Sequence, residues 1–178
     1  FGYRDSVFKG PWRNRAVITA VRFHLTKRNH TLKTHYGSVD AELEAAGIQP
    51  SPQSISDAVV RIRRSKLPDP AELGNSGSFF KNPTVSAEEY ARLRALKSDA
   101  PGYPQADGRV KLAAGWLIEQ AGWKGYRRGD AGVHAKQALV LVNYGRATGP
   151  EIWQLAQDVV ADVHAKFGVS LEPEVNLV

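Results

Sequence analysis

The stretch that most constrains this chain is the segment 74–83, which reads GNSGSFFKNP. Glycine tolerates positive φ and lets a backbone approach a ligand closely, so Gly77 predicts a tight turn from which the hydroxyl of Ser78 projects. Phe79 and Phe80 follow as a strand-like apolar pair that would fix this turn to a core. From these residues alone, a Gly-Ser turn leading into a buried strand is favoured over a catalytic serine.

The composition is that of a soluble globular protein, with 42% hydrophobic and 24% charged residues in a chain of 178. No apolar run is long enough to span a bilayer. The lack of cysteine excludes disulfides and thiolate metal sites and fits a reducing compartment. The five histidines have no metal-binding spacing, so we expect no metal site. The net charge of +6 favours anionic partners: nucleic acid, an anionic membrane surface or a nucleotide diphosphate.

Hydrophobic periodicity predicts strands and helices along the whole chain. The predicted strands are residues 15–26, 137–143 and 171–178, and the segment 100–111 is predicted to be a loop. The first two predicted helices run from a cap at Ser54 to the residues before Pro68, and from a capping box at Ser86 and Glu89 through the apolar stripe of Leu93 and Leu96. The third covers 111–120 with Gly122 as its stop, and the last runs from a cap at Thr148 or Gly149 to Gly168. The buried stripe predicted for this last helix consists of Ile152, Leu155, Ala156, Val159, Val163 and Phe167.

A basic cluster ends the first of these helices, with Arg61, Arg63, Arg64 and Lys66 in its last turns. Cations suit a helix C-terminus because they offset its dipole. The same cluster could instead bind a phosphate, or it could form part of a basic nucleic-acid-binding module, and the sequence leaves these alternatives open.

Six segments, in order along the chain, resemble the UDP-N-acetylenolpyruvoylglucosamine reductase family. They are FGYRDS (1–6), SKLPDP (65–70), GNSGSFFKNP (74–83), YPQADGRVKLAAGWLIEQAG (103–122), GVHAKQALVLVN (132–143) and LEPEV (171–175). The resemblance implies a cytoplasmic bacterial flavoenzyme of peptidoglycan precursor synthesis, hence of cell-wall biogenesis, cell shape and division. It would use FAD and NADPH to reduce the enolpyruvyl group of UDP-N-acetylglucosamine enolpyruvate.

The resemblance also implies a domain organisation. The chain begins at Phe1 and contains no methionine, and FGYRDS lies well inside a full-length family member, so we expect an N-terminal flavin-binding portion to precede it. Residues 1–63 would be the end of the FAD-binding domain with a connecting loop and helix, and residues 64–178 the substrate-binding domain. The expected fold class is α+β, with helices packed on a mixed β-sheet, and we expect a monomer.

Site residues follow from the same resemblance, position by position. The catalytic residues would be Arg4, which binds and polarises the substrate carboxylate, Ser78, the proton donor, and Glu174. The substrate-binding residues would be Tyr36 on a loop that folds over the substrate, Lys66, Asn82, Tyr103, Lys124 and Gln137. No flavin-binding residue is identified in this chain.

Two positions depart from the family's usual residues. Asp130 stands where a second glycine is usual, which would place a carboxylate near an anion site, and Asn176 stands where arginine is common. The alternative function is a basic nucleic-acid-binding module, but the chain lacks the interleaved exposed aromatic residues and the helix-turn-helix spacing typical of such modules. No nucleic-acid or membrane partner is therefore expected.

Overall fold

A computed structural model describes residues 2, 4–35 and 37–177. The helices are α1 (Val39–Ala45), α2 (Pro52–Lys66), α3 (Ala87–Leu96), α4 (Ala114–Gln120) and α5 (Gly149–Phe167), with a short 3-10 helix at Val7–Lys9. The strands are β1 (Gly74–Ser78), β2 (Thr84–Val85), β3 (Gly102–Pro104), β4 (Val110–Leu112), β5 (Arg127–Arg128), β6 (Ala131–Val133) and β7 (Val140–Asn143). None of the described helices has the length and apolarity needed to cross a membrane.

The chain divides into two compact units, Phe1–Ile62 and Arg63–Val178. In the first unit, Val39 and Leu43 of α1 form a small buried cluster with Ala58 of α2. Assignment of residues 1–63 to a flavin-binding domain and 64–178 to a substrate domain stays a prediction.

The start of α2 differs slightly from its prediction. The helix begins at Pro52, and the Oγ atom of Ser51 accepts a hydrogen bond of 3.0 Å from the backbone N–H of Ser54. Ser51 therefore satisfies a donor of the first turn, the capping role predicted for Ser54, because the helix starts earlier than its apolar stripe.

Residues 16–26 form no strand, so the strand predicted over 15–26 is wrong. The side chains of Val17, Phe23 and Leu25 are 87%, 74% and 76% exposed. A strand is stabilised by hydrogen bonds to a neighbouring strand, and no other described segment pairs with this one. An alternating apolar pattern predicts which face of a strand would be buried. It does not show whether a neighbouring strand is present to form the hydrogen bonds.

The second unit carries two antiparallel sheets, a four-stranded one in the order β1-β7-β6-β5 and a three-stranded one in the order β2-β4-β3. Helix α5 packs against β6 and β7 and also contacts α4. The predicted α+β class is confirmed, but the described strand pairs are all antiparallel, where a mixed sheet was predicted. Connections as short as residues 129–130 and 134–139 allow antiparallel pairing only, because a parallel pair needs a long crossover.

The segment around Gly77 is a bulged edge strand, so the predicted tight turn is corrected. Asn75 lies opposite Val142 and Ser78 opposite Val140, so β1 has one extra residue between these pairs. Gly77, at φ +75°, supplies the left-handed conformation that this bulge needs. The predicted burial of the next two residues is confirmed, since Phe79 and Phe80 are 4% and 1% exposed.

Helix α5 agrees with its prediction. The hydroxyl of Thr148 accepts from the backbone N–H of Glu151, whose carboxylate accepts from the backbone N–H of Thr148, which is a capping box. Gly168 ends the helix at φ +68°. The predicted stripe faces the core, where its central members are fully buried: Leu155, Ala156, Val159 and Val163.

Other predicted elements are corrected in part. The predicted loop 100–111 contains the hairpin of β3 and β4, and the helix predicted from Lys111 starts at Ala114 because residues 110–112 pair with β2 and β3. Strand β7 starts at Val140, later than predicted. Leu96, predicted to be in the apolar stripe of α3, is 65% exposed. The strand predicted over 171–178 is reduced to one bridge at Pro173.

Candidate active site

Ser78 is an exposed residue at the end of the edge strand β1. Immediately after it, Phe79 donates its backbone N–H to the carbonyl oxygen of Leu139 at 2.8 Å, which ties this point to the residue before β7. Because the aromatic ring of Phe79 is buried, Ser78 has a bulge on one side and a core residue on the other. This arrangement fixes the backbone that carries the hydroxyl.

The C-terminal segment binds the backbone just after Ser78. Phe80 and Pro173 form an isolated antiparallel bridge, and the backbone N–H of Glu174 donates to the carbonyl oxygen of Phe79 at 2.8 Å. The fold therefore brings the backbone of Glu174 to the residue that follows Ser78, although the two lie far apart in sequence.

The bridge has the pattern of a non-hydrogen-bonded pair, in which the N–H groups of the two paired residues take no part. Its second flanking bond runs from the N–H of Lys81 to the carbonyl oxygen of Glu172 at 2.9 Å. Pro173 fits this position because it has no N–H to lose. The side chains of Lys81 and Glu172 add an ion pair between Nζ and Oε1.

A cleft of about 850 Å³ adjoins β1. Lys66 lines it, together with Gly77, the residue before Ser78. Three other basic residues of the lining are Arg63, Arg64 and Lys136. The Nζ atom of Lys136 donates to the carbonyl oxygen of Ser65 at 3.2 Å, so the β6–β7 connection is tied to the last turn of α2. The basic residues at the C-terminal end of α2 offset the negative end of its dipole. They also give the cleft positive charge.

The lining also contains acidic residues and one unusual histidine. Asp69 and Glu72 bring negative charge to the cleft. His134 has a buried Nδ1 atom with no hydrogen-bond partner. Burial lowers the pKa of His134, and the charge of Lys136 lowers it further, so the imidazole is neutral at neutral pH.

Asn82 and Gln137 both lie beside the first turn of α4. The Oδ1 atom of Asn82 accepts from the backbone N–H of Ala114 at 2.9 Å. A Cβ atom built at Gly115 would lie 3.2 Å from the Oε1 atom of Gln137, so the lack of a side chain there makes room for the amide. Two of the predicted substrate-binding residues thus lie beside the first turn of α4, and one of them holds the helix.

Tyr103 and Lys124 occupy two other places. Tyr103 lies in β3 opposite Lys111 and is 53% exposed, so about half of this residue is accessible to a ligand. Lys124 follows α4, and its Nζ atom pairs with Glu119 Oε1 at 2.8 Å. A ligand that binds Lys124 through its ammonium group therefore competes with this carboxylate.

Arg4 belongs to the other compact unit. It has φ +57° in a turn closed by the backbone hydrogen bond from Gly2 N–H to the carbonyl oxygen of Asp5, at 2.9 Å. Tyr36, the predicted lid residue, lies outside the described residues. The roles predicted for all nine site residues stay predictions.

The departure at Asp130 has a structural explanation. Its Oδ2 atom accepts from the backbone N–H of Arg146 at 2.8 Å, and its Oδ1 atom accepts from Arg127 at 3.1 Å. The guanidinium of Arg127 also lies 4.1 Å from the ring centroid of Tyr144. The carboxylate thus links the β5–β6 hairpin to the turn after β7. Asn176 is exposed, and nothing in the structure explains its replacement of arginine.

Sequence reasoning missed three residues that the fold places around the site: His134, Lys136 and Glu172. The signal for the first two was the basic HAK tripeptide just before a buried strand. Glu172 carried no usable signal, because its partner Lys81 is remote in sequence and only the bridge brings them together. Among the described residues, no group of three or more acidic or histidine side chains could hold a metal ion.

Comparison with known proteins identifies the domain. Residues 69–178 match the family model described as UDP-N-acetylenolpyruvoylglucosamine reductase, C-terminal domain. The UDP-N-acetylenolpyruvoylglucosamine reductase of Chromobacterium violaceum is 60% identical over 175 residues, which cover 98% of this chain and 51% of that protein. The protein of the same name from Pseudomonas syringae pv. tomato is 58% identical over 181 residues, covering 99% and 52%. A solved UDP-N-acetylenolpyruvylglucosamine reductase from Thermus caldophilus matches at TM-score 0.43 and 22% identity, over 70% of this chain and 33% of that one.

The α+β unit beginning at Arg63 therefore contains the C-terminal domain of a class of reductases. The chain belongs to the UDP-N-acetylenolpyruvoylglucosamine reductase family, which confirms the resemblance seen in its motifs. It spans about half the length of the curated relatives it matches.

Proposed function

We propose that this chain is the C-terminal, substrate-binding part of a flavin-dependent reductase. The whole enzyme would reduce the enolpyruvyl group of UDP-N-acetylglucosamine enolpyruvate, giving UDP-N-acetylmuramate for peptidoglycan synthesis. The observation that carries this proposal is the family match over residues 69–178. The flavin-binding portion would be a further part of the same protein, since this chain covers about half of its relatives.

The residues of the cleft fit a phosphate-bearing ligand. Arg63, Arg64, Lys66 and Lys136 give it more cationic than acidic groups, and Arg and Lys side chains bind phosphate oxygens well. Both the UDP-sugar and NADPH carry phosphates, so this donor set suits either one. FAD, once reduced by NADPH, would supply hydride to the methylene carbon of the enolpyruvyl group.

Proton delivery is the role we assign to Ser78. Hydride addition leaves negative charge on the carbon beside the substrate carboxylate, and this carbon must be protonated. An alcohol is a weak acid, but a carbanion is a strong base, so the transfer is feasible where water is excluded. Arg4 would stabilise the developing charge through the carboxylate. Glu174 would orient the groups around the hydroxyl, which its backbone bond to Phe79 supports.

Substrate binding is the role we assign to the remaining residues. Lys66 and Lys124 would bind the diphosphate, Tyr103 would stack on the nucleotide, and Asn82 and Gln137 would bind the sugar through their amides. Tyr36 would fold over the bound substrate. The exposure of Tyr103 and the position of Asn82 and Gln137 beside the first turn of α4 support this division.

Location, assembly and the remaining domain complete the proposal. We propose a cytoplasmic monomer, in which residues 1–63 complete the flavin-binding domain and 64–178 bind the substrate. The exposed apolar residues of the segment 16–26 would then pack on the flavin-binding portion.

The proposal is tested in a full-length reductase that carries this chain as its C-terminal part. NADPH oxidation is followed with UDP-N-acetylglucosamine enolpyruvate, comparing wild type with Ser78→Ala and with Ser98→Ala, an exposed turn serine, as the matched control. We expect substrate reduction to fall at least 100-fold in Ser78→Ala, the size of a general acid contribution, and to be unchanged in Ser98→Ala. Undiminished reduction in Ser78→Ala would show that this serine is not the acid.

A binding experiment separates the reductase from the alternative, a basic nucleic-acid-binding module. The chain is titrated with UDP-N-acetylglucosamine enolpyruvate and, separately, with duplex DNA at moderate salt. We expect binding of the sugar nucleotide only. Salt-sensitive DNA binding without a response to the sugar nucleotide would favour the alternative.

A further inference from the structure

We propose that the ion pair between Lys81 and Glu172 positions Glu174 for the reaction. Neither member of the pair is assigned a role above. The inference rests on the proposed function, because Glu174 must act beside Ser78 for its position to matter.

The pair flanks the bridge between Phe80 and Pro173, which is the only β-bridge of the described residues 171–177. Leu171 and Val175 pack into or against the core on either side of it. Between these two residues, the segment is attached to 79–81 by two backbone hydrogen bonds and by the ion pair. The pair therefore provides a side-chain attachment two residues from Glu174.

The exposure of the two side chains indicates how much the ion pair contributes to folding stability. The side chain of Lys81 is 27% exposed and that of Glu172 is 71% exposed. Ion pairs with such exposure contribute little to folding stability, and the backbone bonds remain when the side chains are changed. Removing the pair should thus leave the fold intact and loosen the extended segment that carries Glu174.

The same pair adjusts local charge. Glu172 and Glu174 are two residues apart in an extended segment, a spacing of roughly 7 Å. An unpaired carboxylate at 172 would add negative charge near a substrate that carries a carboxylate and a diphosphate. Lys81 neutralises it, so the charge at 172 would not disturb the part that we assign to Glu174 in the reaction.

The test uses the same full-length reductase with the variants Glu172→Gln, Lys81→Met and the exchanged pair Lys81→Glu/Glu172→Lys. Each single variant should lower kcat for the enolpyruvyl substrate roughly 10- to 100-fold, the effect of a small misplacement of a catalytic group. The KM for substrate should change less than kcat, and flavin reduction by NADPH alone should keep its wild-type rate. The exchanged pair should recover most of the lost kcat, because it restores the attachment with opposite polarity.

Two controls keep the outcomes distinct. Glu88→Gln breaks an exposed pair with Arg92 on α3 and should behave as wild type. Thermal unfolding should show each single variant within a few degrees of wild type. Wild-type kcat in both single variants, or no recovery in the exchanged pair, would overturn the inference. A wild-type protein that does not reduce the substrate at all would instead overturn the proposed function.

Discussion

The Oδ1 atom of Asn82 accepts a hydrogen bond of 2.9 Å from the backbone N–H of Ala114, so a residue predicted to bind substrate holds the first turn of α4. Ala113, the residue before this helix, makes no side-chain capping bond. Asn82 therefore supplies from a distant loop the acceptor that a local N-cap residue usually supplies.

The two roles of Asn82 can be separated by substitution. Asn82→Asp keeps an acceptor at the helix N-terminus and should leave the free energy of unfolding nearly unchanged, whereas Asn82→Ala should lower it by about 1 kcal/mol. Both variants lose the amide donors and should weaken sugar-nucleotide binding. Urea unfolding and calorimetric titration measure the two effects, and wild-type binding in Asn82→Asp would assign this residue to the helix alone.

Asp130 should be a stabilising residue although it stands where relatives were expected to have glycine. Asp130→Gly removes the acceptors for Arg146 and Arg127 and should lower the free energy of unfolding by about 1 kcal/mol. Asp130→Asn keeps one acceptor and should lose less. Chemical denaturation of wild type, Asp130→Asn and Asp130→Gly measures whether their stabilities fall in this order. Unchanged stability with improved binding in Asp130→Gly would show instead that the carboxylate opposes the anionic ligand.

The carboxylate of Asp162 joins α5 to the residue that follows α4. Its Oδ2 atom accepts from Lys166 Nζ and from Trp123 Nε1, each at 2.8 Å. The hydrogen bond from Lys166 lowers the pKa of Asp162 below its ordinary 3.8, burial opposes this shift, and the bond from Trp123 adds to it.

Because the folded state holds Asp162 ionised, its contribution to stability is full above about pH 4 and is lost as the pH falls through the lowered pKa. Asp162→Asn should therefore be less stable than wild type at pH 7, and the difference should shrink in acid. Melting temperatures from pH 2.5 to 7 measure this. Asp99→Asn, in an exposed turn, is the matched control. A constant difference across the range would contradict the expected linkage.

His134 should make stability fall below neutral pH. Its pKa is lowered from the ordinary 6.5, mainly by burial, so the unfolded chain binds a proton more readily. The free energy of unfolding should therefore decrease as the pH falls below 6.5 toward the lowered pKa. Urea unfolding between pH 5 and 7.5 should show a shallower dependence in His134→Gln than in wild type. His24→Gln, at an exposed position, should keep the wild-type pH dependence of stability. The same pH dependence in all three proteins would show that His134 does not cause it.

Local signals predicted α5 well because they suffice there. Its N-cap, its apolar stripe and Gly168 all lie within or next to the helix, so each is visible in a short window of sequence. The same holds for the capping box of α3 at Ser86. Burial of Phe79 and Phe80 was predictable for a similar reason, since two adjacent aromatic residues are seldom left in water.

Elements that depend on remote partners were predicted poorly. Residues 110–112 continue a helical pattern into α4, yet they form β4 because β2 and β3 pair with them. The segment 16–26 shows the converse, a strand pattern without a strand partner in the described chain. In the candidate site, residue types and motifs indicated Ser78 and Glu174, but the bridge between Phe80 and Pro173 that links their segments depends on contacts across almost the whole second unit.

The proline of that bridge also limits which hydrogen bonds the C-terminal segment can offer to another chain segment. In this non-hydrogen-bonded pairing, the backbone nitrogen of residue 173 faces away from Phe80. An amide N–H there would offer an incoming strand a donor, whereas proline offers none. Replacing it with a residue that carries an N–H would add a donor on the outward side of the C-terminal segment, so this one imino acid leaves that side without a hydrogen bond to offer at position 173.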